Sequence, residues 1–361
     1  MSSFPQNTEE KLTTELCALY KRYGYTQYRM RKFEEYDLYV QNKAFLLSDH
    51  IITFTEPSGR LMALRPDVTL SIAKSNKGEA QRLFYRENVY RVERGGDSFR
   101  EITQVGLECV GEIDAYCTLE VLTLALSSMA CIGEDFVLDI SHLGLLSALL
   151  EGVEIPTARQ EEAVALVGEK NLHGLAALCR EVGVSPENTE GLCRAISAYG
   201  SPCELLDLLA TLPLGQGGRE ALFELRALLG AITDPRVRVD LSVVNDMRYY
   251  SGIVFRGFAA GIPAGVLSGG QYDNLIERMG KRGGAIGFAV YPDQLKGLLP
   301  PEDDDADILL LYGEEAEPAA LMAAAAKLMA TGKSVAVRRT APEKMTYGKV
   351  MRFGANGVSE E

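Results

Sequence analysis

Histidine is scarce in this 361-residue chain: only His50, His142 and His173 occur, and none falls in an HxH, HExxH or Cys/His pattern. A catalytic or structural metal is therefore not expected, nor any other cofactor. His142, which follows Ser141 at an expected helix start, reads as a first-turn residue. Basic residues are in deficit too, with 37 Lys and Arg against 50 Asp and Glu. The resulting net charge of -13 repels a polyanion unless basic groups gather on one face, so general nucleic-acid binding is disfavoured. The seven cysteines, Cys17, Cys109, Cys117, Cys131, Cys179, Cys193 and Cys203, form no CxxC pair and are odd in number. In a chain too long to need stapling they are expected to be reduced core or half-buried thiols. Missing as well are a basic segment leading into an apolar one at MSSFPQNTEEKLTTEL and any run near the roughly 20 apolar residues of a membrane span. A cytoplasmic protein without a membrane partner is the expectation.

Hydrophobic residues make up 47% of the chain, enough for a sizeable core at a length that allows two or three domains. Residues 8–23, TEEKLTTELCALYKRY, put Leu12, Leu16, Leu19 and Tyr20 on one stripe and predict an amphipathic helix. IITFTEPSGRLMALRPDVT predicts a hairpin around Pro57, Ser58 and Gly59, and the runs 82–93 and 99–112 predict a second one turned at residues 94–98. A helix over 114–132 and a strand over 136–140 follow. From Ser141 to about Pro235, Leu/Ala stripes punctuated by Gly and Pro predict an almost wholly helical stretch. VRVDLSVVN, YYSGIVFRGFAAG, VLSGG and AIGFAVY return to strand patterns, so an antiparallel sheet is split in sequence by the helices. Beyond an acidic linker, DILLLY, EPAALMAAAAKLMATG and SVAVRR predict one βαβ-like unit followed by a tail. The expected division is a body of 1–140 with 236–299, a helical insertion of 141–235 and a truncated α/β appendage of 306–361.

Polar residues concentrate in LRPDVTL, YRVERGGDSFREITQVGLE, NDMRYYSG and SGGQYDNL. In the first, Arg65, Asp67 and Thr69 alternate toward one side of an expected strand. In the second, Arg91 and Glu93 are expected opposite Arg100, Gln104 and Glu108. Any one of these stretches alone reads as solvated cross-strand pairs, each contributing under about 1 kcal/mol. Together, Asp67, Gln104 and Glu108 supply acceptors for an ammonium and an imidazole N–H, and Arg91 a fork for a carboxylate. That combination describes a small amino-acid pocket.

In order and spacing, LRPDVTL, the arginine hairpin, the Tyr249-Tyr250 strand, SGGQYDNL and AIGFAVYPDQL resemble the catalytic body of histidyl-tRNA synthetase over roughly residues 5 to 298. The resemblance implies an α+β fold: a class II aminoacyl-tRNA synthetase-like antiparallel sheet flanked by helices, with a helical insertion and a short C-terminal α/β unit. It also implies a dimer built on the body. Asp67, Thr69, Arg91, Gln104, Glu108, Tyr249 and Tyr250 match that family's histidine pocket. Departures cluster in the nucleotide half. Asn245 replaces the arginine of the family's Tyr-Tyr motif, Arg248 stands where its aspartate is, and Gln294 takes the place of the adenine-stacking arginine of its third motif. Losing even one preorganised charge at a transition state costs about 100- to 1000-fold in rate. Glu93, Arg100, Asn245 and Gln294 therefore read as a vestigial nucleotide site.

The C-terminal unit is expected to be shorter than the synthetase's anticodon domain, and its Arg338, Arg339, Lys344, Lys349 and Arg352 read as a solvated face. This set of losses is similar to the regulatory subunit of ATP phosphoribosyltransferase, a synthetase paralogue in the first step of histidine biosynthesis. That resemblance implies a non-catalytic chain, a homodimer within a hetero-octamer, which partners the short-form catalytic subunit and answers to histidine as effector, with no tRNA bound. The alternative reading is a divergent histidyl-tRNA synthetase or other amino-acid-activating ligase, for which Arg91, Glu93 and Arg100 could still hold ATP phosphates.

Overall fold

The computed structural model describes residues 8–42, 51–76, 78–92, 98–200, 202–244, 250–295, 305–342, 345–354 and 357–360. Two compact units divide the chain, one of Thr13–Gly297 and one of Leu298–Glu361 with Met1–Leu12.

The larger unit is built on an eight-stranded sheet in the order β1-β5-β6-β11-β10-β9-β7-β8. Its strands are β1 (Thr26–Gln27), β5 (Gln81–Val92), β6 (Phe99–Gly111), β7 (Phe136–His142), β8 (Val237–Val239), β9 (Ile253–Ala259), β10 (Leu267–Gln271) and β11 (Gly284–Val290). All central pairings are antiparallel, and only the two short edge strands β1 and β8 pair in parallel. A small sheet, β2 (Phe33–Glu35), β3 (Thr53–Thr55) and β4 (Leu61–Leu64), stands beside helix α2 (Tyr36–Gln41), and β3 pairs with β4 as the Pro57-Gly59 turn predicts. Gly59, at φ +86°, supplies the left-handed residue that turn requires.

One face of the large sheet is covered by α4 (Ala115–Ile132) and, from Thr13 on, by α1 (Thr8–Arg22). Leu12, Leu16, Leu19 and Tyr20 of α1 are buried, as the helical stripe predicts. The Tyr20 ring meets Phe84 and Phe288, and its hydroxyl lies 3.0 Å from the Ser128 hydroxyl of α4. α4 corrects one expectation, because its 18 residues, at a mean hydropathy of 1.6, are long and apolar enough by composition to cross a membrane. In this fold α4 is a core helix. Val121, Leu122, Leu124, Ala125 and Met129 are fully buried, and Thr123, Ser127 and Ser128 satisfy their hydroxyls on carbonyls one turn back.

Between β7 and β8 come α5 (Leu143–Gly152), α6 (Thr157–Gly168), α7 (Leu172–Val182), α8 (Pro186–Ser197), α9 (Pro202–Ala210) and α10 (Gln216–Ala231). His142 is not a first-turn residue: it ends β7 and caps α5, its Nδ1 accepting the Leu145 N–H at 3.1 Å. A ring nitrogen can play the capping part more often taken by Ser or Asp, which a sequence pattern for caps does not anticipate.

The other face of the sheet carries α3 (Thr69–Ser75) and α11 (Asp273–Arg278), whose Leu70, Ile72, Leu275 and Ile276 pack on Leu83, Tyr85 and Val89. Lys281, just after α11, donates its ammonium to the carbonyls of Ala73, Lys74 and Asn76. These lie at the C-terminal end of α3, where a cation completes orphan acceptors and opposes the helix dipole.

In the smaller unit, β12 (Ala306–Tyr312), α12 (Pro318–Met329) and β13 (Val335–Arg338) form the predicted βαβ crossover. The expected tail is sheet instead. β14 (Tyr347–Gly354) pairs in parallel with β12, and β15 (Gly357–Glu360) pairs antiparallel with β14. β14 buries none of its residues fully, so its sequence lacks the apolar alternation that marks a half-buried strand. Lys349 pairs with Glu360 at 2.7 Å and Arg339 reaches Glu314 at 4.0 Å, while Lys344 lies outside the described residues.

Candidate functional site

Alternation along β6 and β11 puts the site on the sheet face away from α1 and α4. Gln104, Gly106 and Glu108 point to one side, and the register sets Gly106 against Ala289 and Glu108 against Gly287. On the other neighbour, β5, the same face carries Leu83, Tyr85, Glu87, Val89 and Arg91, with Arg91 opposite Arg100 and Gln104 opposite Glu87. Arg91 thus faces Arg100 as expected, but its expected facing with Gln104 and Glu108 is corrected: with the turn where the sequence put it, the antiparallel register sets Gln104 four residues and Glu108 eight residues along β5 from Arg91, opposite Glu87 and Leu83.

The strand expected through LRPDVTL is also corrected. β4 stops at Leu64, Pro66 removes a ladder donor, and Asp67 Oδ1 accepts the Leu70 N–H at 2.8 Å to start α3. Arg65 is fully buried and donates to Glu87 and the Asn88 carbonyl of β5, and Asp67 and Thr69 are buried as well. Thr69 donates its hydroxyl to Glu108 Oε1 at 2.8 Å, and Tyr272 donates to Glu108 Oε2 at 2.5 Å.

Glu108 is 2% exposed and its pKa is pushed up to about 8, first by burial and further by the Asp67 charge, against the pull of the Tyr272 and Thr69 hydroxyls. Burial likewise raises Asp67, which the Leu70 N–H and then Arg91 and Arg65 draw back down. Two buried carboxyls that resist ionising want a cation between them. At the other end Arg91 is 9% exposed, and its Nε has no hydrogen-bond partner among the described residues.

Aromatic hydroxyls complete the surroundings. Tyr85 and Tyr250 are both held well above the ordinary phenol range, chiefly by burial, and each senses the Glu108 and Asp67 charges. Asp67, Thr69, Glu108 and Tyr250 are therefore brought together, Arg91 reaches Asp67 electrostatically, and Gln104 is buried on the same face. Tyr249, Glu93 and Asn245 lie outside the described residues, as does Arg248. Arg100 and Gln294 are exposed. Gln294 sits in a 3₁₀ turn, Pro292–Leu295, rather than opening an α-helix within the described residues. That turn is pinned to β6 by Asp293, which accepts the Thr103 N–H at 2.8 Å.

Sequence reasoning missed Tyr272, Tyr85 and the glycine floor. Their signal was a two-residue period: Gly270 and Tyr272 alternate onto the face that holds Gly106, and Gly287 faces Gly270 across the ladder. A Cβ on Gly287 would stand 1.8 Å from Glu108 Oε2 and 2.4 Å from the Leu107 carbonyl oxygen. Gly287→Ala is therefore expected to displace the Glu108 carboxyl and cost about 1 to 3 kcal/mol of stability. Urea unfolding of the variant measures this, and an unchanged midpoint would show that the floor tolerates a methyl group.

Among the described residues no group of three or more His, Cys, Asp and Glu side chains comes together to hold a metal ion.

The histidyl-tRNA synthetase family model matches residues 5–295. An ATP phosphoribosyltransferase regulatory subunit from Bordetella petrii is 31% identical over 336 residues, 90% of this chain and 86% of that one. A crystal structure of an ATP phosphoribosyltransferase regulatory subunit/histidyl-tRNA synthetase from Bacillus halodurans C superposes with a TM-score of 0.80 at 25% identity, covering 96% of this chain and 93% of that one. An ATP phosphoribosyl transferase (HisG:HisZ) complex from Thermotoga maritima contains a chain with a TM-score of 0.62 at 20% identity, covering 79% of this chain and 97% of that one. The last likeness shows the fold alone.

Proposed function

The chain belongs to the ATP phosphoribosyltransferase regulatory subunits, a histidyl-tRNA synthetase-like family with the class II synthetase fold, and we propose that it is a non-catalytic subunit whose synthetase-like pocket senses histidine. In this reading it docks short-form catalytic subunits, is needed for their activity and makes them subject to feedback inhibition. A body dimer within a hetero-octamer, with no tRNA bound, is part of the same proposal.

The observation that carries the reading is the buried Glu108 carboxyl, held by Thr69 and Tyr272 beside Asp67 over a floor of glycine. A free histidine offers an ammonium and an imidazole N–H to Glu108 and Asp67, and a carboxylate to the Arg91 guanidinium. Support for loss of adenylation comes from chemistry: Gln294 has no charge to offer a phosphate, and the same holds for Asn245 in the sequence. Feedback requires histidine to bind one state of the complex more tightly, by a coupling of about 1 to 3 kcal/mol.

The test is phosphoribosyl transfer by a short-form catalytic subunit, alone and with this chain, with and without histidine, alongside histidine-dependent pyrophosphate exchange. Stimulated transfer that becomes histidine-sensitive, without exchange, is the expected result. Exchange with no effect on transfer would restore the ligase reading.

A further inference from the structure

On the α4 side of the sheet, away from the pocket, two thiols meet at the end of a strand. Cys109 of β6 and Cys117 of α4 are both buried, at 4% and 7% exposure, and their sulfurs stand 3.4 Å apart. A disulfide bonds at about 2.05 Å, so closure asks for a shift of roughly 1.4 Å. The pair is not sealed in the core. Both cysteines line a surface cleft of about 380 Å³ together with Arg82, Gln81 and Glu112.

The two sulfurs differ in their surroundings. Cys117 lies in the first turn of the 18-residue α4, at the positive end of its dipole, and the Arg82 Nη2 approaches its sulfur at 3.7 Å while the Arg82 Nε lies 3.4 Å from Glu120. The Asp114 carboxylate caps the same turn through the Cys117 N–H, at 2.7 Å, and not through the sulfur. Burial, and then the neighbouring Cys117 thiol, hold the Cys109 thiol above its ordinary range, against the pull of Arg82, which acts on both sulfurs. Its place in the first helical turn assigns Cys117 the part of nucleophile and Cys109, on the strand, that of the second, resolving thiol.

We propose that Cys109 and Cys117 form a reversible thiol–disulfide modification site, whose reactant is a low-molecular-weight disulfide entering the cleft beside Arg82. The Cys117 thiolate attacks one sulfur of the reactant, its S–S bond breaks, and one thiol leaves carrying the proton that Cys117 gave up. Cys109 then loses its proton, attacks the Cys117 sulfur and expels the second thiol. The protein is oxidised by two electrons and the small disulfide is reduced to two thiols. The new bond ties α4 to β6 at the residue after Glu108, and a transient disulfide of this kind is the sort that occurs in reducing compartments.

The test exposes the full chain to graded oxidised glutathione, then quenches and maps peptides by mass spectrometry without reduction. Expected are a Cys109–Cys117 cross-linked peptide released by dithiothreitol, and plain glutathione adducts on the exposed Cys131 and Cys203, which serve as internal controls. Cys109→Ser is expected to stop at one glutathione on Cys117, and Cys117→Ser to leave Cys109 unmodified. Thermal melts identify a variant that fails to fold, and Cys109→Ala then replaces the serine. Free Cys109 and Cys117 at oxidant levels that modify Cys131 and Cys203 would overturn the proposal, as would a glutathione adduct that persists on Cys117 of the unsubstituted chain.

Discussion

Glu108→Gln is expected to weaken histidine binding by about 2 to 5 kcal/mol, on the order of 30- to 5000-fold in Kd, because it removes one partner of a buried charge pair. The same substitution has a signature in the unliganded protein. Glu108 has a folded pKa of about 8 against an ordinary 4.5, so the folded state binds its proton more tightly than the unfolded one. The stability this contributes is fully present below pH 4.5, falls as pH rises, and is gone above about 8. Urea midpoints measured across that window should therefore decline more steeply for the native chain than for Glu108→Gln, in which Asp139, raised to about 6 chiefly by burial, still titrates. Binding reverses the preference, since a cation beside Glu108 favours the carboxylate. At pH 7 histidine should expel close to one proton per site, and at pH 10 none from this group. Calorimetry in two buffers of different ionisation heat reads that number. Full-strength binding by Glu108→Gln would place histidine elsewhere, for instance between subunits, while leaving the regulatory role itself to the transfer assay.

How much of this was legible in the sequence depends on what each residue's role needs. The amphipathic stripe of α1 and the β5–β6 hairpin need only local periodicity and a turn, and both stand where the pattern put them. The pairing of β6 with β11 is a different matter, since Glu108 and Gly287 are far apart in sequence and no local rule joins them. Family resemblance named Glu108, Asp67 and Thr69 as pocket residues. It did not show that Tyr272 holds the second carboxyl oxygen or that a bare glycine leaves the space. Cys131 and Cys203 were expected at least half-buried and are exposed, because thiols are small enough to sit on either side of a helical stripe. Arg65 is the sharpest miss. Alternation would set it beside Asp67 on one side of a strand, yet the strand ends at Leu64 and Arg65 is engaged by Glu87 and two backbone carbonyls, while Asp67 starts α3.

Arg65→Met is accordingly expected to act on stability, by about 3 to 5 kcal/mol, which is the cost of breaking a buried ion pair by removing one member. The guanidinium is completely buried and donates to Glu87 Oε2 at 2.7 Å, to the Arg31 carbonyl at 2.6 Å and to the Asn88 carbonyl at 2.9 Å. One side chain thus ties the end of β4 to β5 and to the segment before β2. Methionine fills similar space but leaves two carbonyls and a largely buried carboxylate without their donor. Arg65→Met with Glu87→Met should recover part of the loss, because the stranded charge disappears with its partner, and the difference between the double and the summed singles measures the coupling. The Arg65 carbonyl also accepts the Tyr90 N–H at 2.9 Å, so the turn that presents Asp67 and Thr69 to Glu108 is registered against β5 at this same residue. Histidine affinity should fall with stability in Arg65→Met even though Arg65 lies outside the pocket. A urea midpoint within about 1 kcal/mol of the native chain would show instead that water or a rearranged Glu87 satisfies the turn as well as the arginine does.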